Sequence, residues 1–151
     1  MKLHSHYTRG IKETGEKIEI YVVWCSDCRQ WHALLPDFLL PNKQYSAIEI
    51  EGVIIDSAIE SVSRIETEAS ESTVRRWIKQ ISERIKGAVS IIKYLFSKKG
   101  QALSEAAVDT GPAYDELAQV LEMAPSRVNY SKNKLGLANI WLGTNGVPTY
   151  I

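Results

Sequence analysis

Between Lys17 and Cys25 the segment KIEIYVVWC alternates polar and apolar positions, with Ile18, Ile20 and Val22 in phase, the period of a half-buried β-strand. The flanking segments LHSHYTRG and RQWHALL read as two further strands, and the polar, glycine-containing KETGEK reads as the turn between the first two. Residues 1–34 are therefore expected to form a small β unit. In LLPDFLLPNKQYS, Pro36 and Pro41 exclude a long helix, because proline lacks the N–H donor and restrains the residue before it. Residues 35–45 are expected as an extended connector that packs through Leu35, Phe38, Leu39 and Leu40.

After residue 45 the period becomes helical. Ser46 is an N-cap candidate for a helix from about Ala47 to Ile59, with Ile50, Val53, Ile54 and Ala58 on one face and the acids on the other. SVSRIETEA is expected as a second short helix burying Val62, Ile65 and Ala69. A new cap follows at Ser70 or Ser72. Beyond it, Val74, Trp77, Ile78, Ile81, Ile85, Ala88, Ile92 and Leu95 recur at steps of three and four along a long third helix. Gly87 weakens that helix by roughly 1 kcal/mol relative to Ala. Two short helices are expected later, opening at Pro112 and near Pro125. The expected fold class is α+β, with a small N-terminal β-ribbon followed by a mostly α-helical helix-turn-helix domain over 46–100 and a small helical region over 101–151.

Composition changes this picture in one respect. The chain has 151 residues, 44% of them hydrophobic and 24% charged, as in globular proteins, and its net charge is zero. That average hides a segregation: residues 45–70 carry a net −5, and residues 71–100 carry a net +6. A basic face able to meet a polyanion is therefore compatible with a neutral chain. No apolar run approaches the length of a membrane span, and MKLHSHYTRG lacks the apolar region of a secretory signal, so a cytoplasmic location without membrane contact is expected.

Both cysteines stand in one Cys-x-x-Cys, Cys25 and Cys28, directly behind the strand KIEIYVVWC. One reading is a thioredoxin-like thiol oxidoreductase, with GVPT at Gly146–Thr149 similar to the cis-proline loop of that superfamily. Pro36 and Pro41 interrupt the helix that this dithiol requires, and little chain follows Pro148. The other reading is half of a zinc site in which the thiolates project from a tight turn. His4, His6 and His32 are available to complete it. A pair that holds no metal is the third reading.

HSHYTRG, IEIYVVWCSDCRQWHALLPDFLLPNKQYS, ESTVRRWI and WLGTNGVPTYI together resemble an uncharacterised bacterial family in which a zinc ribbon precedes a helix-turn-helix, similar to the N-terminal regions of insertion-sequence transposases. The resemblance covers nearly the whole chain, and the connector is its more specific part. In such ribbons an earlier Cys-x-x-Cys precedes the H-x-x-Y-x-R strand, and here that pair would fall before Met1. Two expectations follow, a truncated or alternatively started product or a ribbon without metal. Cys25 and Cys28 carry over as half of a site.

The resemblance implies a transposase-like or regulator-like protein that binds double-stranded DNA. In a helix-turn-helix the N-terminal residues of the second helix reach base edges while neighbouring cations hold phosphates. Ser72, Thr73, Arg75, Arg76 and Lys79 are the expected contacts, with the arginines able to pair bidentately with guanine and Val74 and Ile78 facing the preceding helices. Glu68-Ala69 stands where a glycine is common in the turn. No phosphate-loop, serine-nucleophile or zinc-protease motif occurs, and the helical region offers no strands for a metal-dependent nuclease, so a non-catalytic protein is expected. The alternative is a protein-interaction module in which the stripe of Val74–Leu95 is a homo-oligomer seam.

Overall fold

The computed structural model describes residues 2–98, 112–123 and 133–147. Strands β1 (Lys2–Gly10), β2 (Lys17–Cys25) and β3 (Gln30–Leu34) form an antiparallel meander in the order β1-β2-β3. Helices α1 (Ala47–Asp56), α2 (Glu71–Lys98), α3 (Ala113–Glu122) and α4 (Lys134–Thr144) follow, so the fold is α+β.

Ile20 is fully buried and Ile18 half-buried, against Ile11, Leu39, Leu35 and Phe38 in a small cluster beneath the near end of the sheet. Val22 is only half-buried and Val23 is the closed position instead. Toward Cys25 no second layer covers the sheet among the described residues, and Leu3, Tyr21, Trp31 and Leu34 are exposed. The β1–β2 turn is fastened to the connector by polar bonds. The Lys12 N–H donates to the Gln44 carbonyl at 2.8 Å, the Ser46 N–H to Glu13 Oε1 at 2.7 Å, and Arg9 Nη2 to the Leu40 carbonyl at 2.7 Å.

Ser46 caps α1, its Oγ accepting the Glu49 N–H at 3.1 Å. The helix stops at Asp56 and not at Ile59, because the Ser57 hydroxyl takes the Ile54 carbonyl and the exposed Ala58 and Ile59 have nothing to pack against. The expected short helix over SVSRIETEA is a single 3-10 turn, Val62–Arg64. Local side-chain bonds replace it: Thr67 Oγ1 donates to Glu49 Oε1 and accepts the Ala69 N–H. Ile65 alone of its apolar residues is buried, while Val62 and Ala69 are half-buried. The long basic helix is thus the second α-helix of the chain and not the third.

That helix, α2, runs 28 residues, about 42 Å at 1.5 Å per residue, without a break at Gly87. Val74, Trp77, Ile81, Ile85, Ala88, Val89, Ile92 and Phe96 are buried in a cluster shared with α1, α3 and α4. Most of the apolar stripe is therefore covered by the chain's own helices, while Ile78 and Leu95 are half-buried. Pro112 opens α3 as expected, whereas Pro125, Pro148 and Thr149 lie outside the described residues.

Two polar contacts lock this packing. Glu51, expected on the outer face of α1, is 8% exposed and accepts Tyr114 Oη at 2.6 Å and the Leu135 N–H at 3.0 Å. Burial first, then the hydrogen bond and charge of Glu51, push the Tyr114 hydroxyl well above its ordinary pKa. Asn133 caps α4 through the Gly136 N–H and donates Nδ2 to the Asp37 carbonyl at 3.3 Å. A Cβ at Gly136 would sit 2.0 Å from that carbonyl, so only glycine lets the connector approach α4.

Glu51→Ala strands two inward-facing donors and is expected to lower stability by roughly 2–4 kcal/mol in urea unfolding. Gly136→Ala is expected to cost about 1–3 kcal/mol in the same assay, because backbone and not a flexible side chain must give way.

Candidate metal cluster and candidate nucleic-acid interface

The Cys-x-x-Cys does not open a helix. Residues Ser26–Arg29 turn β2 into β3, with Cys25 paired to Gln30 in the ladder and Arg29 in the left-handed region at φ 55°. A thioredoxin-like dithiol needs a helix N-terminus at this place, and the chain has a β-turn there. The turn aims the N–H groups of Cys28 and Asp27 at Cys25 Sγ, and these bonds, with one from the Cys28 side chain, hold the Cys25 thiol below its ordinary value. Desolvation of its sulfur, then the bond with Cys25, push Cys28 the other way.

Register brings a third donor to the pair. His32 sits opposite Val23, on the same side of the sheet as Cys25. Its Nε2 lies 2.9 Å from Cys28 Sγ, and donor atoms of Cys25, Cys28 and His32 all lie within 4.8 Å of one another. A tetrahedral ion with bonds of about 2.3 Å to sulfur and about 2.0 Å to nitrogen holds such donors about 3.5 Å apart. The cluster therefore fits a metal ion after Cys28 and His32 part by roughly half an ångström. His4 and His6 do not join it: His4 stacks on Trp31 at 4.1 Å between ring centroids, and His6 lies beside Tyr21 at 6.1 Å.

At the other end of the fold, Ser72, Arg75, Arg76 and Lys79 are exposed on the first two turns of α2, and Thr73 is half-buried beside them. Thr73 Oγ1 accepts from Ser70 Oγ at 3.1 Å, and Arg75 pairs with Glu71 at 3.6 Å in solvent. Val74 and Trp77 anchor these turns from beneath, the Trp77 ring meeting the Tyr45 ring edge-on at 4.9 Å. Ile78 is half-buried on the same side.

Two further cations stand beside these turns. Lys12 from the β1–β2 turn and Lys43 from the connector line a cleft of about 380 Å³ with Thr73, Arg76 and Gln80. Burial first, then the charges of Arg84 and Arg76, hold the Lys43 ammonium below its ordinary value. No local pattern marks either lysine. The signal open to inspection was the density of cations next to a connector already expected to pack.

A family model described as a domain of unknown function (DUF6431) matches residues 1–77. The chain belongs to the DUF6431 family. The DUF6431 segment spans the sheet, the connector, α1 and the first turns of α2, and so includes Cys25, Cys28, His32, Lys12, Lys43, Arg75 and Arg76. Lys79, α3 and α4 lie beyond it. No curated protein and no solved structure matches the chain. Among the described residues no helix of this DUF6431 chain is long and apolar enough to cross a membrane.

The amides aimed at Cys25 Sγ favour its thiolate over that of Cys28. Partial alkylation of the metal-free chain at neutral pH is expected to modify Cys25 ahead of Cys28 in peptide mapping, because more of it is thiolate. Equal labelling would mean that the two amides are not held on its sulfur.

Proposed function

We propose that this protein is a non-catalytic, double-stranded-DNA-binding module, transposase-like or regulator-like, that presents the N-terminal turns of α2 to the major groove. The observation that carries the reading is the division of those turns. Val74 and Trp77 are closed into the core, while Ser72, Arg75, Arg76 and Lys79 project outward together. A helix held rigidly by one face with small hydroxyls and two arginines on the other suits insertion between phosphate ridges and readout of guanine edges. Between α1 and α2 the segment 57–70 holds only the 3-10 turn Val62–Arg64, a longer connection than the turn of about three or four residues in the usual motif, so the reading rests on the exposed face of α2 and not on the helix before it.

Zinc is the ion proposed for Cys25, Cys28 and His32, since two thiolates and an imidazole match its preference for sulfur and nitrogen donors. When bound it supplies a structural crosslink of the β2–β3 turn. Among the described residues, Cys25, Cys28 and His32 would hold it.

Fluorescence anisotropy of a random duplex pool, titrated with the folded chain across a salt series, tests the reading. Binding is expected to weaken steeply with salt. Arg75→Ala with Arg76→Ala is expected to cost a few kcal/mol at most in total, about 1–3 kcal/mol for each arginine that reads a base. Undiminished affinity in that folded double variant would remove α2 from the interface. For the metal, cobalt(II) is expected to bind at one equivalent with thiolate-to-metal charge-transfer absorption that Cys25→Ser with Cys28→Ser abolishes; no such absorption in the parent chain would reject the site.

A further inference from the structure

The cleft beside α2 collects positive charge from three separate parts of the chain. Lys12 comes from the β1–β2 turn, Lys43 from the connector and Arg76 from the second turn of α2. The residues that line it include no carboxylate. Glu13, next to Lys12, is not among them: its Oε1 accepts the Ser46 N–H, and its Oε2 is buried without a hydrogen-bond partner among the described residues.

These cations are poorly compensated. The partner of Lys43 Nζ is the neutral Gln80 Oε1 at 3.4 Å, a long bond, and Lys12 Nζ stands 5.7 Å from the centroid of the Tyr45 ring. Lys43 is half-buried and feels the charges of Arg76 and Arg84. Like charges converging on a concavity repel one another, and an anion seated among them relieves that cost. Asn42, immediately before Lys43, takes φ 57°, a left-handed conformation that asparagine tolerates.

We propose that the cleft formed by Lys12, Lys43 and Arg76 seats a backbone phosphate of the DNA, fixing the duplex against the flank of α2 while the outer face of that helix enters the groove. The proposal rests on the DNA-binding reading and deepens it. It assigns the β1–β2 turn and the connector, and not α2 alone, to phosphate contact. The Thr73 hydroxyl and the Asn42 amide lie in the same lining as neutral donors. A phosphate clamp of this kind sets register and orientation and carries no sequence information.

The test uses the full chain and the variant Lys12→Gln with Lys43→Gln, with Lys2→Gln and Lys98→Gln together, at the far ends of β1 and α2, as a charge-matched control, each checked for an unchanged circular dichroism spectrum. Anisotropy is measured on several duplexes across a salt series. The clamp predicts that the double variant binds every duplex at least about tenfold more weakly at low salt, that the slope of log affinity against log salt falls by about one, as for one lost phosphate contact, and that Lys12→Arg with Lys43→Arg restores both. A double variant indistinguishable from the control that lacks Lys2 and Lys98, while the parent chain binds duplex, overturns the clamp and leaves the DNA-binding reading intact. A parent chain that binds no duplex at low salt overturns that reading and the clamp with it. Inorganic phosphate that perturbs the Lys43 resonances in such a chain would identify a free-anion site instead.

Discussion

Glu51 is taken out of water on the inner side of α1, and a carboxylate so placed destabilises a fold by several kcal/mol unless donors meet it. Both of its donors come from distant elements, the Tyr114 hydroxyl on α3 and the Leu135 N–H in the first turn of α4. The second is one of the unpaired amides at a helix N-terminus, where the helix dipole also favours negative charge. This single side chain therefore couples three helices. Because α2 packs against all of them, the same contact governs how firmly the basic helix is held.

The connector performs the corresponding role between the sheet and the helices. Its adjacent residues Leu39 and Leu40 enter different clusters, one under the sheet and one in the helical core. Its Asp37 carbonyl receives Asn133 and runs so close to α4 that residue 136 has to be glycine. The bonds from Arg9, Lys12 and Glu13 pin the β1–β2 turn to it from the other side. An apolar, twice-anchored connector of this kind lets residues from the sheet, the connector and α2 share one cleft in a defined arrangement.

Charge is sorted by the same packing. Of the acids between residues 45 and 70, Glu51 is buried and Glu49 is engaged by Thr67, whereas Ser72, Arg76 and Lys79 reach solvent on α2. Lys93, further along, is paired with Glu116 of α3. Exposed cations therefore gather on the N-terminal half of α2 and in the adjoining lysines, next to the exposed acids Glu66, Glu68 and Glu71, although the chain as a whole is neutral. The cysteine cluster is separate, on the uncovered end of the sheet.

The sequence by itself determined the elements whose signal is local. The alternation of Ile18 and Ile20, the Ser46 cap, the prolines of the connector and the apolar stripe from Val74 to Leu95 each lie within a few residues of what they specify, and each appears in the structure. Cys25 and Cys28 were legible as a pair for the same reason. Only the tertiary structure decided which histidine joins them, that Glu51 faces inward, that SVSRIETEA keeps one 3-10 turn, and that Lys12 and Lys43 meet Arg76. Periodicity reports which face of an element is apolar, but not which remote group will satisfy a buried acid or lie beside a cation. His32 stands four positions from Cys28 and is brought to it by the register of one hairpin, whereas Glu51 meets Tyr114 and Leu135 across 63 and 84 positions, contacts that exist only once the chain has closed on itself.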